Sequence, residues 1–539
     1  MRRAMTVACA ALAMVAAAGC GSKKAPGQTG ADSASSSSGA PVQNATFTYL
    51  DSNELMVGWD PSTSFSNEVS VMNNMYEQLL RYDNKTQKVE PLLAESYESS
   101  EDGKTWTFKL RQGVKFHTRR AMDATAAKEA IERTIDLKEG AAYIWDPVKS
   151  ITATDASTLE FKLKYAAPLD RIAAAAYGGY IFDTKAAPSK LDDWFAEGNE
   201  AGTGPYQLEQ WDKGADVEVR LKQFEDYWGG WDDAHYARLV FRHVPQATTA
   251  VQLLRSGDAT FARALNAQLF DSVKSADGMS SSTTGSFENL IGFLNTRSGP
   301  LKDQRIRKAV IAAMDYDGAI AALKGAGVEA HGLIPEGLVG YDASITHKQD
   351  TAQATQLLEE AGYGPGGKKL SLTLTHAQGD DFEALVASIL KSNLADLNID
   401  LKVDALQWTA QWDRAKSSNE SKRQDIFVMY WYPEYADAYS WFTNLVRSSD
   451  EPYFNLSYLK DDAVDQQIDA LQEQAAKGDD TAKQAYSAAQ QAALATDAFM
   501  PFFVKSYQRA FRSSLTGYVD NPAYPNVVFA YETVPGSAD

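Results

Sequence analysis

Three segments of the chain alternate apolar and polar residues with a period of two. Trp106, Phe108 and Leu110 alternate with Thr105, Thr107 and Lys109. Leu159, Phe161 and Leu163 alternate with Glu160 and Lys162, and Val217, Val219 and Leu221 with Glu218 and Arg220. Such alternation predicts half-buried strands. Between the first two lies DATAAKEAIERTIDL, which predicts a helix capped by Asp123. Ordered sequence is expected to begin near Thr46.

From about residue 287 the pattern changes. Residues 303–323 read as one helix with Ile306, Val310 and Met314 on a face, and residues 350–361 as a helix stopped by Gly362 and Gly364. Leu370, Leu372 and Leu374 alternate in a strand. Phe382, Leu385, Val386, Ile389, Leu390 and Leu397 stripe a helix, and Leu401 and Val403 mark another strand. Strand–helix–strand implies a parallel pair. The segment DIFVMYW predicts one strand more. The chain thus reads as a β-richer first half and an α/β second half.

That last strand opens into VMYWYPEYADAYSWF (428–442), in which seven of fifteen residues are aromatic and Glu434 and Asp437 are carboxylates. Open α/β sheets bind ligands beyond the carboxyl ends of their strands, so these aromatics stand where a ligand would be. Two acids could also serve acid/base chemistry, which keeps a secreted hydrolase using Glu434 and Asp437 as an alternative. Two acids three apart on one loop are poorly spaced to flank a bond, however, since glycosidases separate theirs by about 5–9.5 Å across it.

Composition narrows the partners. A net charge of −19 over 539 residues argues against nucleic acid or anionic lipid as the main partner. Arg2 and Arg3 precede the apolar run 4–18, a secretory signal pattern, and Ala17-Ala18-Gly19-Cys20 follows. Small residues before a cysteine resemble a bacterial lipobox, with Cys20 diacylated, although Ala17 stands where Leu is usual. The other cysteine, Cys9, lies inside the signal, so the mature chain is expected to form no internal disulfide. Residues 21–45 are rich in Gly, Ser, Ala and Pro and predict a flexible tether. No later run of about 20 apolar residues suggests a membrane span. The six histidines show no metal-site spacing, and no nucleotide loop or serine-hydrolase elbow occurs. No cofactor or metal is expected.

Five blocks, in order, resemble the extracytoplasmic solute-binding proteins of ABC importers, in the peptide- and nickel-binding family 5 group. They are 73–118 (NNMYEQLLRYDNKTQKVEPLLAESYESSEDGKTWTFKLRQGVKFHT), Gly202-Thr203-Gly204-Pro205-Tyr206, and Asp226-Tyr227-Trp228-Gly229-Gly230. The fourth is Leu294-Asn295-Thr296 with 303–309 (DQRIRKA), and the last is 357–363 (LLEEAGY). The resemblance implies an α/β, two-lobed periplasmic-binding-protein-like type II fold with an inserted subdomain in lobe one. The implied division is a signal peptide at 1–19 and a lipidated tether at 20–45. Lobe I would be 46–82, 203–285 and 510–539, its inserted subdomain 83–202, and lobe II 286–509.

It also implies a monomer, held outside the cytoplasm and anchored to the cell membrane only by lipidated Cys20. Such a protein captures a peptide between closing lobes and delivers it to permease subunits. By the same resemblance Glu434 takes the peptide's α-ammonium, Trp431 lines a side-chain pocket, and Tyr430 and Tyr432 offer backbone groups. Asp437 lies in the same stretch, and Ser70 and Val71 fall near a facing strand of lobe one. The family's acid is usually Asp where this chain has Glu434, and its Asp-Pro is here Asp437-Ala438. The extra tyrosines leave an oligosaccharide or other solute open as the ligand.

Overall fold

Two long antiparallel strands, Met279–Leu294 and Phe499–Arg512, organise the chain. The computed structural model describes residues 44–536 except 53–57, 214–216, 233 and 452. Cys20, the signal segment and the tether up to residue 43 therefore lie outside the described residues. The two strands pair from Met279–Gly285 against Arg512–Ser506, and again from Asn289–Phe293 against Val504–Phe499. Between these runs the residues Ser286, Phe287 and Glu288 stand opposite Lys505 alone. Lys505 stitches the bulge at both ends: its carbonyl accepts the Ser286 hydroxyl at 2.6 Å and its ammonium pairs with Glu288 at 3.0 Å. A second shift falls beside Pro501, which has no N–H to give to a ladder.

Different strands join on either side of this break. Beyond the 506–512 end lies Phe261–Ala262, then Thr46–Asp51 in parallel, then Arg238–His243, Glu218–Gln223 and Tyr206–Asp212. Beyond the other end, Ile426–Trp431 pairs antiparallel with Asn289–Leu294. Leu370–Ala377 runs parallel to it, and Ile399–Leu406 runs parallel at the edge. A separate antiparallel sheet holds Ala94–Ser99, Thr105–Leu110, Thr158–Leu163 and Val148–Asp155 in that spatial order. The predicted strands at 105–110, 159–163, 370–374 and 401–403 are all present, and the parallel pair forms as expected.

The helices follow their caps. Ala124–Leu137 begins where the Asp123 carboxylate accepts the Ala126 N–H at 2.8 Å, and Asp381–Asp396 begins at Asp380. The single helix expected over 303–323 is two, Gln304–Ala313 and Tyr316–Ala322. Asp315 interrupts it, because its carboxylate accepts the Gly318 N–H at 2.8 Å and restarts the helix as a new cap. Ser70 and Val71 are not on a strand. They occupy the helical turn Val69–Met72, where both are buried.

The second crossing strand is tied to the C-terminal segment by buried charge. Arg509 pairs with Asp520 at 3.2 Å and donates to the Arg263 carbonyl at 2.6 Å, while Arg263 pairs with Asp51 at 2.8 Å. Removing one member of such a buried pair strands the other and costs about 3–5 kcal/mol. Arg509→Met should therefore lower unfolding stability by about that amount in a denaturant titration. A loss below about 1 kcal/mol would show that the network is not a structural tie.

Candidate functional site

The strand Ile426–Trp431 is buried on both faces near its start, and its register sets Tyr430 opposite Leu290 and Trp431 opposite Asn289. At its carboxyl end the chain leaves the sheet through 432–440 and enters a short π-helical turn, Trp441–Val446. The carboxyl end of Leu370–Ala377 lies beside it and runs into Gln378, Gly379 and Asp380. A cavity of about 840 Å³ opens there. From the strand end it is walled by Tyr430, Trp431, Tyr432 and Glu434, and from the neighbouring strand end by Asp380 and Glu383. Facing them are Phe65, Ser66, Asn67, Tyr143 and Tyr177. Trp408, Tyr453 and Phe454 also line it, and Phe65, Trp408 and Tyr453 remain 46%, 47% and 47% exposed.

The loop is held by contacts to distant segments. The Glu434 carbonyl accepts the Ala176 N–H at 2.7 Å. The Trp431 indole N–H donates to Ser440 Oγ at 3.1 Å, and its ring meets Phe454 edge-on with centroids 4.9 Å apart. Asn444 donates to the Tyr143 hydroxyl at 2.9 Å. Asp437 is the main anchor. Its carboxylate accepts Arg171 Nη1 at 2.8 Å, the Tyr439 N–H at 2.9 Å and the Tyr486 hydroxyl.

The seven candidate residues of this region divide accordingly. Glu434, Trp431, Tyr430 and Tyr432 line the cavity together. Asp437 does not: its side chain is fully buried behind the loop, and its charge is already met by Arg171. Nor do Ser70 and Val71. The Ser70 hydroxyl donates to the Asn67 carbonyl at 2.8 Å, and it is the preceding residues Phe65 to Asn67 that reach the cavity. Glu68 shapes that approach, accepting the N–H groups of Phe65 and Ser66 at 2.9 and 3.0 Å.

Glu434 differs from Asp437 in what surrounds it. It is 3% exposed, makes no ion pair among the described residues, and its Oε2 has no hydrogen-bond partner. Burial pushes its carboxyl up to about 7, partly offset by the hydroxyls of Tyr143 and Ser440. The other titratable groups facing it, Tyr143, Tyr177, Tyr432 and Tyr435, are all held above their usual range by burial and stay neutral. The site thus presents a carboxyl with no ion-pair partner among the described residues, set among aromatic rings, an arrangement that suits a cation.

The family model of the bacterial extracellular solute-binding proteins, family 5, middle region, matches residues 88–453. The chain belongs to that family. This solute-binding protein is 27% identical over 481 residues to a probable D,D-dipeptide-binding periplasmic protein of Escherichia coli strain K12, covering 87% of this chain and 90% of the relative. It is also 27% identical over 404 residues to the dipeptide-binding protein of that strain, covering 69% and 72%. Among solved structures it resembles the oligopeptide-binding protein AppA of Bacillus subtilis, in complex with a nonapeptide. The TM-score is 0.78 at 20% identity, over 92% of this chain and 100% of that one. It likewise resembles NikA of Brucella suis in complex with Fe(III)-EDTA, with TM-score 0.79 at 20% identity, over 91% and 99%. These likenesses establish the α/β periplasmic-binding-protein fold. No helix among the described residues is long and apolar enough to cross a membrane.

A carboxyl raised from 4.5 to about 7 makes the ligand-free fold hold its proton more tightly than the unfolded chain does. Stability of the protein without ligand should therefore fall as pH rises from about 4.5 to about 7 and then level off. At about 1.4 kcal/mol per pKa unit the fall is on the order of 3 kcal/mol. Glu434→Gln should flatten that part of the pH profile of thermal unfolding. A profile identical to wild type would show that Glu434 is not the group titrating.

Proposed function

We propose that the protein captures a peptide by its free amino terminus, with Glu434 as acceptor, and delivers it to the membrane permease of an ABC importer. The observation that carries this reading is the buried, unpartnered Glu434 Oε2 at the wall of the cavity. An α-ammonium supplies both the missing charge and the missing donor. Relatives named for dipeptides and a fold neighbour solved with a nonapeptide support the peptide class. A cavity of about 840 Å³ lies in the ordinary range for a compact ligand, about 300–1,000 Å³, which favours a short peptide. Backbone groups of Tyr430 and Tyr432 would pair with it as an added strand, and Trp431 would wall a side chain.

The same reading takes 46–82, 203–285 and 510–539 as lobe I, 83–202 as its inserted subdomain and 286–509 as lobe II. The bulge at Ser286–Glu288 then falls at the lobe boundary, where a hinge would sit. Diacylated Cys20 and the tether to residue 45 would hold the protein at the membrane as a monomer. A hydrolase using Glu434 and Asp437 is not supported, since Asp437 is turned away and bound to Arg171. An oligosaccharide remains the second reading, favoured by nine aromatic residues among those described at the cavity wall.

Glu434→Gln should weaken a free short peptide by at least about tenfold, since a charge-assisted contact contributes about 1.5–3 kcal/mol. Acetylating the peptide's amino terminus should weaken wild type similarly, and the two changes together should cost less than their sum. Equal affinity for free and acetylated peptides would end the ammonium role. A sugar ligand would instead tolerate Glu434→Gln and be lost with Trp431→Ala.

Closure has its own readout. Ligand at about 1,000 times its Kd should stabilise the fold by about 4 kcal/mol, and small-angle scattering should show compaction with that ligand. Stabilisation without compaction would count against a two-lobe clamp. Cys20→Ser should release the protein from membranes without changing Kd, whereas wild-type protein free of lipid mass would remove the anchor.

A further inference from the structure

Among the described residues that line the cavity, Asp380, Glu383 and Glu434 are carboxylates and none is Lys, Arg or His. The three fall into two poles at the ends of neighbouring parallel strands. Glu434 follows Ile426–Trp431 and lies by Tyr143, Tyr177 and Tyr432. Asp380 and Glu383 follow Leu370–Ala377 and lie by Tyr430, whose buried hydroxyl faces the Asp380 carboxylate. The Tyr430 hydroxyl is raised by burial and then by the Asp380 charge, whereas those of Tyr143 and Tyr177 are raised by burial and then by Glu434.

Neither pole is neutralised from within. Asp380 spends one oxygen on the N–H groups of Phe382 and Glu383, at 3.0 and 2.8 Å, and Glu383 accepts the Ala377 N–H at 2.6 Å. Neither makes an ion pair among the described residues. Lys505 is the cation that bears on Glu383, and it is engaged with Glu288 at 3.0 Å and lies 4.6 Å from the centre of the Tyr430 ring. Burial and the nearby Asp380 charge hold the Glu383 carboxyl well above its usual range. Lys505 and Lys416 lie 4.6 and 4.8 Å from the centres of the Tyr430 and Tyr453 rings, but neither lines the cavity, so the described lining offers a ligand carboxylate like charge and no cationic side chain, and offers a ligand cation carboxyl groups and aromatic faces.

We infer that the ligand carries a second positive group, a lysine- or arginine-type side chain held at the Asp380 pole, and that its carboxyl terminus is not clamped. This rests on the peptide reading above and narrows it to basic peptides. The Glu434 Oε2 atom, buried and unpartnered at the same wall, marks the cavity as built for a cation rather than merely edged by acids.

The test is calorimetric titration at pH 8 and low salt with Ala-Lys-Ala, Ala-Ala-Ala and Ala-Glu-Ala, each with a free and an amidated carboxyl terminus. The lysine peptide should bind at least about tenfold more tightly than the glutamate peptide, and amidation should leave affinity unchanged or raise it. Asp380→Asn keeps a helix-capping side chain and should shrink the lysine-over-alanine preference about fivefold or more. Equal affinity for the lysine and glutamate peptides, or a tenfold loss on amidation, would overturn the inference while leaving a peptide receptor. An undiminished preference in Asp380→Asn would overturn the placement at Asp380. Binding of 1,5-diaminopentane with no peptide binding at all would uphold the cation site and overturn the peptide reading. Binding of neither would overturn both.

Discussion

The hydrogen-bonded pairing of Met279–Leu294 with Phe499–Arg512 is the constraint on which the rest of the molecule depends. These two strands are the seam along which both sets of β-strands are assembled. A continuous ladder through them would be a stiff beam. Three residues opposite one, at Ser286–Glu288, replace part of that ladder with side-chain contacts to Lys505. A bulge of this kind bends and twists the strand locally while leaving the pairing on each side intact. The same Lys505 reaches the ring of Tyr430, so the break in the ladder and the cavity wall share one side chain.

Two acids three residues apart meet opposite fates. Asp437 is surrounded by an arginine, a tyrosine hydroxyl and a backbone N–H, so its burial is compensated and it acts as a rivet for the loop. Glu434 has only hydroxyls nearby and keeps an oxygen unmet. Fixing the loop with the first makes it possible to hold the second in a place where it would not settle by itself. This division leaves a backbone held by Asp437, aromatic walls, and at Glu434 a carboxyl with no ion-pair partner among the described residues.

Much of the secondary structure was legible because it rests on local physics. Alternation at 105–110 and 370–374 and the cap at Asp123 need only neighbouring residues, and all three appear as expected. The cavity wall on 430–434 was legible too, because the rule that ligands sit beyond strand ends applies to a strand that could be read. The same rule applied to Leu370–Ala377 would have found Asp380. What failed depended on partners far along the chain. Nothing local to Asp437 says that Arg171 will pair with it, and nothing in Ser70-Val71 says that these β-branched and small residues will wind into a helical turn after Glu68 folds the chain back. Asp315 was readable as a cap, but the apolar stripe running through Met314 concealed it. Tyr143 and Tyr177 come from segments with no clear period, so only tertiary contact brings them to the site.

The backbone and side chain of Glu434 have different partners: its carbonyl holds the Ala176 N–H, while its carboxyl lines the cavity. On the proposed function, closing without cargo would shut a carboxyl that has no ion-pair partner among the described residues away from water, and above about pH 7 that group is mostly ionised. On that reading the unliganded form would be biased toward staying ajar, and a cationic guest or a proton would remove the bias. For a transporter that responds to the shut shape of its receptor, this would be a safeguard against idling: a vessel with nothing aboard would resist presenting itself as loaded.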